Sequence, residues 1–187
     1  MRDIRLTRRH SLALPALAAA ATLAPARARA ASAAQIRREV TSAEAQLREM
    51  DNTRPLFEAA RAVLIFPRIV QGGFIIGGQY GEGALLRGGA HQGFYRIIGA
   101  SFGLQAGAQT SGLAMFFMTD AALEALQRAD GWEIGTGPSV VALDRGLQAN
   151  ISSTTLTEPV YAITFSQQGL MAALALNGTR IAPFQPE

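Results

Sequence analysis

Apolar residues recur at helical spacing between positions 34 and 50, where Ile36, Val40, Ala43, Leu47 and Met50 follow one another at steps of four, three, four and three. That pattern predicts one stripe of an amphipathic helix. Its other face carries Arg37, Arg38, Glu39, Glu44, Arg48 and Glu49, with Glu44 and Arg48 placed for an i,i+4 pair. Such a helix can lie on a membrane or on the chain's own sheet. Balanced charge favours the sheet, because interfacial helices carry an excess of basic residues on the polar face. Asp51, Asn52, Thr53 and Pro55 then supply capping and first-turn residues for a short second helix over positions 54–62.

The pattern changes period after that. Positions 62–66 form an apolar run that reads as a buried strand closed by Pro67. Thirteen glycines punctuate positions 72–112, and between 98 and 109 Ile98, Ala100, Phe102, Leu104, Ala106 and Ala108 alternate with Gly and polar residues. A period of two predicts one strand with a greasy face and a nearly flat one, and glycines in strands accompany bends or close approach by another backbone or a ligand. Positions 113–118 are apolar throughout, Thr119 caps a helix over 120–129 with Leu123 and Leu126 inward, and short strands follow at 139–144, 151–156, 159–166, 170–176 and 179–182. The expected fold is a single α+β domain: a glycine-rich, curved, barrel-like antiparallel sheet with N-terminal amphipathic helices and one internal helix. Its flat face suits a lipid chain or a partner helix.

Charge divides the chain in two. The formal net charge is +3 and the sequence pI about 10.2, with 17 basic residues, all arginine, against 14 acidic ones. Six of those arginines and one aspartate fall in residues 1–30. That segment has the layout of a cleaved export signal: a basic stretch containing the pair Arg8 and Arg9, an apolar stretch over 12–26, and the small-x-small site Ala28-Arg29-Ala30. The arginine pair resembles a twin-arginine signal. The apolar stretch is too short, and too interrupted by Pro15 and Pro25, for a spanning helix. Residues 31–187 keep 11 arginines against 13 acids, so the exported domain is mildly acidic. The expected location is the periplasm, peripheral to a membrane and without a lipid anchor, since there is no cysteine. Nucleic acid is a poor partner for such a domain.

Catalytic chemistry is sparse. Absence of cysteine excludes disulfides, thiolate metal sites and thiol nucleophiles, and absence of lysine excludes Schiff-base and P-loop chemistry. Residues 31–187 hold one histidine, His91, in a glycine-flanked turn that reads as an exposed loop. The glycines around Glu82 do not fit a nucleotide-binding fingerprint, because Leu86 stands at its last glycine position. No cofactor, metal or nucleotide is expected. A carboxylate pair such as Glu82 and Asp144 would be the starting point for a small hydrolase, the weakest of the functional readings.

One segment is more specific. The run over positions 59–83, AARAVLIFPRIVQGGFIIGGQYGEG, resembles the opening signature of the SYLF domain family, with Pro67, Gly72, Gly73, Gly77, Gly78, Tyr80, Gly81 and Gly83 as signature positions. Similar elements follow in register at 99–109, at 116–119, and at 166–170, where Ser166 opens a Ser-x-x-Gly-Leu element. The resemblance implies a non-enzymatic module that binds acidic phospholipids, phosphatidylinositol lipids among them, with actin binding in yeast relatives. On this reading Arg37, Arg38, Arg48, Arg54, Arg61 and Arg68 are head-group candidates, because guanidinium forks match phosphate oxygens. Leu56, Phe57, Phe74 and Phe102 are the candidate apolar contacts. The alternative is a cell-envelope scaffold or homo-oligomerising module whose flat sheet face docks a protein.

Overall fold

The computed structural model describes residues 31–73, 76–102, 107–128, 130–143, 156–168 and 178–187. The export segment with Arg8, Arg9, Ala28 and Ala30 lies outside these residues, as do Phe74, Asp144 and, Leu156 apart, the strands expected at 151–156 and 170–176.

Among the described residues, three helices and a curled eight-stranded sheet make the predicted α+β fold. Helix α1 (Ala33–Arg48) starts where the Ser32 hydroxyl accepts from the Gln35 amide, and buries Ile36, Val40, Ala43 and Leu47, the expected stripe. Its end is closed by Thr53, a fully buried residue whose hydroxyl donates to the Leu47 and Met50 carbonyls. After a 3-10 turn at Asp51–Thr53 comes α2 (Arg54–Ala59), with a proline in its first turn, shorter than the expected 54–62. Strands β1 (Ala62–Gly73), β2 (Ile76–Arg87), β3 (Ala90–Phe102) and β4 (Gly107–Phe117) follow. Then come α3 (Asp120–Leu126), β5 (Trp132–Glu133), β6 (Val140–Leu143), β7 (Val160–Gln168) and β8 (Arg180–Phe184). Their order across the sheet is β5-β8-β3-β2-β1-β4-β7-β6, antiparallel except for the parallel β6–β7 pair at one edge.

Both faces of the sheet are covered in part. One packs against α1 and α2 through Val63, Ile65, Ala84, Leu86, Ala114, Phe116 and Ile163; the other packs against α3 and β5 through Leu64, Phe66, Ile69, Leu85, Ile97, Leu113 and Phe117. Fully burying each of these large apolar side chains contributes about 1.5–3 kcal/mol. Two strands hold α1 at its two ends. Near its start the Ala31 amide donates to Glu82 of β2, and near its end Gln46 accepts from Ser166 of β7, so α1 crosses the sheet obliquely.

Two expectations are corrected. The first strand does not stop at Pro67 but runs on to Gly73. Pro67 sits in a bulge, unpaired to β2 and to β4, where its missing N–H removes no ladder bond. The extra residue shifts the alternation by one: Phe66 and Ile69 both face α3, which leaves Arg68 and Val70 on the α1 face. The supposed single strand over 98–109 belongs instead to two strands, β3 and β4, that are separated in the sheet by β2 and β1. Its greasy phase is not the buried one. Ile97 is buried, while Ile98 is 46% exposed and Ala100 is exposed.

Among the described residues no helix is long and apolar enough to cross a membrane.

Candidate functional site

Helix α1 leaves part of its face of the sheet bare. Because successive side chains in a strand alternate and neighbouring strands stand about 4.8 Å apart, residues in register form rows across the face. Val70 of β1 pairs with Tyr80 of β2, which pairs with Ile98 of β3. These three are the exposed large hydrophobics of the described structure, at 44%, 46% and 46%, and they form one continuous row. The next row outward is Gly72, Gly78 and Ala100, where nothing larger than the Ala100 methyl rises above the backbone; a Cβ at Gly72 would meet no atom within 4 Å and one at Gly78 only the Gly99 carbonyl at 3.9 Å. The next row inward is Arg68, Glu82 and Arg96. The apolar row continues across to Arg180 of β8, whose guanidinium donates to the Asp130 carbonyl.

Charge on this face is organised around Glu82. Its Oε1 accepts from the Tyr80 hydroxyl at 2.5 Å and its Oε2 from the Ala31 amide at 3.2 Å. Burial, together with the hydrogen bond and negative charge of Glu82, pushes the Tyr80 phenol up to about 12, against a smaller opposing effect of Arg96. Tyr80 is therefore a neutral donor at physiological pH. Arg68 and Arg96 are exposed, and among the described residues the ion pairs within 4 Å are Arg48–Glu44 and Arg54–Asp51. Both guanidinium groups beside Glu82 are thus available to an outside anion.

The glycines of the signature divide by this geometry. Gly81 and Gly83 face the α3 side, where a Cβ at Gly81 would stand 2.8 Å from the Ile69 side chain and one at Gly83 2.8 Å from the Phe66 ring. They are small because the core fills their space. Gly72 and Gly78 point to the open face and are small without any steric demand.

The other predicted residues are dispersed. Arg48 and Arg54 meet around an open cleft of about 200 Å³ with Phe57 and Glu58; Arg48 stacks over Phe57 at 4.2 Å, and Phe57 packs edge-on against Phe116. Arg37 lies over Phe94 at 5.2 Å, and Arg38 and Arg61 are exposed on the surface away from a shared pocket. Leu56, expected as an apolar contact, is fully buried in the core beneath α1, because the turn of α2 that exposes Arg54 and Glu58 directs Leu56 inward. Phe102 closes β3, its backbone paired with Ile76. His91 is not in a loop: the turn is Gly88-Gly89, both with positive φ, and His91 is a half-buried residue of β3. Burial and, secondarily, Arg37 hold its imidazole below the usual range, and its Nδ1 has no partner. Among the described residues no three His, Cys, Asp or Glu side chains group closely enough to hold a metal.

Reasoning from sequence missed Val70, Ile98 and Arg96. The clue was there in the alternation through Arg96, Ile98 and Ala100, but alternation alone does not say which phase is covered.

Comparison with known families gives a match over the C-terminal part of the chain. The family model Ysc84, described as Las17-binding protein actin regulator, covers residues 98–186. The signature run over 59–83 precedes that span. No curated protein matches the chain.

Proposed function

We propose that this chain is an exported, non-enzymatic protein that docks on anionic phospholipid through the open face of its sheet; the match of residues 98–186 to the model of the Ysc84 (SYLF) family, known as actin- and lipid-binding modules, supports this reading. The observation that carries this reading is the single row Val70–Tyr80–Ile98 bordered by Arg68 and Arg96. Two aliphatic side chains and a tyrosine on a flat surface suit the boundary between acyl chains and head groups, where an aromatic ring with a polar tip is most at home. Arginine adds forked donors that match phosphate oxygens and hold their charge at any physiological pH. Actin is an unsuitable partner for a protein with an export signal, so the lipid side of the family's behaviour is the one that applies.

The helix stripe is already spent on the sheet, so α1 contributes only its charged face. That moves the binding surface from the N-terminal helices, where the sequence first suggested it, to the strands beside them, with Arg68 the member of the original arginine set that remains at its centre.

Co-sedimentation of the exported chain with phosphatidylglycerol-containing and with pure phosphatidylcholine vesicles at low salt tests the proposal. Binding to the anionic vesicles that weakens with added salt is expected, because exposed charges are screened over about 10 Å at 0.1 M. Equal, negligible pelleting with both would reject it and favour a face that docks protein.

A further inference from the structure

Two independent features meet at one peptide bond. In the sequence, Ala28-Arg29-Ala30 places a signal-peptidase site so that the first retained residue is Ala31. In the fold, the nitrogen of Ala31 lies 3.2 Å from Glu82 Oε2, a contact between positions 51 apart that ties the start of α1 to β2. We infer that Glu82 is the receiving site for the α-amino group created when residues 1–30 are removed. This inference rests on the export reading above.

In the uncut chain the Ala31 nitrogen is an amide with one N–H and no charge. Hydrolysis of the Ala30–Ala31 bond adds the hydroxyl of water to the Ala30 carbonyl carbon and its hydrogen to the Ala31 nitrogen. After proton exchange with solvent the products are a carboxylate on the released segment and an ammonium on the retained one. A neutral hydrogen bond thereby becomes a charge-assisted one with no change in position, and such bonds are shorter and roughly twice as strong.

The surroundings make this pairing matter. The Ala31 ammonium stands beside the first turn of α1, where the helix dipole is positive, and Arg68 and Arg96 flank Glu82 in its row. Without Glu82 the new charge would face three positive neighbours. Tyr80 holds the other carboxylate oxygen at 2.5 Å, so the acceptor is oriented in advance. Processing also neutralises the one acidic side chain in that row and leaves Arg68 and Arg96 to an external anion. Removal of the leader and readiness for an anionic surface are thus coupled at one carboxylate.

The chain contains no lysine, so an amine-selective acetylating reagent modifies the terminal amine alone. The test uses protein recovered from the exporting cell, its first residue fixed by intact mass. The acetylated form keeps an N–H but loses the charge. It is expected to melt about 2–4 °C below the free-amine form, the shift that corresponds to a half-buried ion pair in a domain of this size. In Glu82→Gln protein that difference should disappear, and adding salt to wild type should shrink it. If Glu82→Gln does not accumulate, Tyr80→Phe, which frees the carboxylate to reorient, should at least halve the difference. A mature chain that starts elsewhere than Ala31 overturns the proposal at the processing step. Equal melting of the free and acetylated forms, or the same difference in Glu82→Gln, overturns it at the acceptor.

Discussion

Gly83 of β2 lies directly against the Ile65 carbonyl of β1: a Cβ on Gly83 would stand far inside van der Waals contact with that oxygen, and also 2.8 Å from the Phe66 ring. Backbone cannot move aside as a flexible side-chain end can. Gly83→Ala should therefore lose about 3 kcal/mol or more, the range of severe overpacking. Gly78→Ala, facing open space on the same strand, should stay within about 1 kcal/mol of wild type and tend toward stabilisation. Urea unfolding of the two variants decides this, and comparable losses in both would refute the division of the signature glycines into core and surface sets.

The bulge at Pro67 gives a second expectation. Deleting Pro67 would remove the one extra residue between Phe66 and Ile69 and restore strict alternation, with Arg68 and Val70 still on the α1 face and Ile69 still toward α3. No side chain changes face, so the deletion should fold, as should Pro67→Ala, which keeps the bulge, and each should cost no more than about 1–2 kcal/mol. Circular dichroism and urea unfolding of both variants check this; a deletion that fails to fold while Pro67→Ala folds would refute it and show that the bulge itself is required.

Alkaline stability should report on Tyr80. Its folded pKa is raised to about 12 from an ordinary 10, so the folded state holds a proton that the unfolded state releases. The resulting stabilisation is present below about pH 10 and is lost as the pH rises from 10 to 12. Two units correspond to about 2.7 kcal/mol, but the side chain is nearly half exposed and solvent screening reduces this to roughly 1 kcal/mol. In Tyr80→Phe the fall in stability between pH 9 and pH 12 should be smaller by about that amount; an unchanged slope would show that Tyr80 is not coupled to Glu82 as described.

For the open face, each arginine near an anionic surface contributes about 1 kcal/mol. Arg68→Ala combined with Arg96→Ala should weaken binding to phosphatidylglycerol vesicles by about 30-fold. Ile98→Ser combined with Val70→Ser should weaken it without altering its salt dependence, since apolar burial is not screened. The double variant Arg38→Ala, Arg61→Ala serves as the comparison, and an equal loss there would mean that net charge, not this face, governs association.

Much of the architecture was legible along the chain. The three-and-four spacing from Ile36 to Leu47 specifies α1 and its buried stripe, because helical geometry converts that spacing into one face whatever surrounds it. Thr119 marks the start of α3 by a local hydrogen bond to Ala122, and glycine-punctuated strand formers specify a curved sheet. The division of charge between residues 1–30 and the rest, and the absence of cysteine and lysine, follow from composition alone. The open face does not. Val70, Tyr80 and Ile98 come from three strands, and strand pairing alone sets them in one row. Period-two alternation states which side chains share a face of one strand, but not which face a helix covers. That choice was made by the bulge at Pro67, which moves Arg68 and Val70 outward, and by α1, which stops short of them while burying Ile65 and Ala84 on the same side. Local rules act over a few residues; the exposed row arises from contacts across the sheet, and only the folded chain contains it.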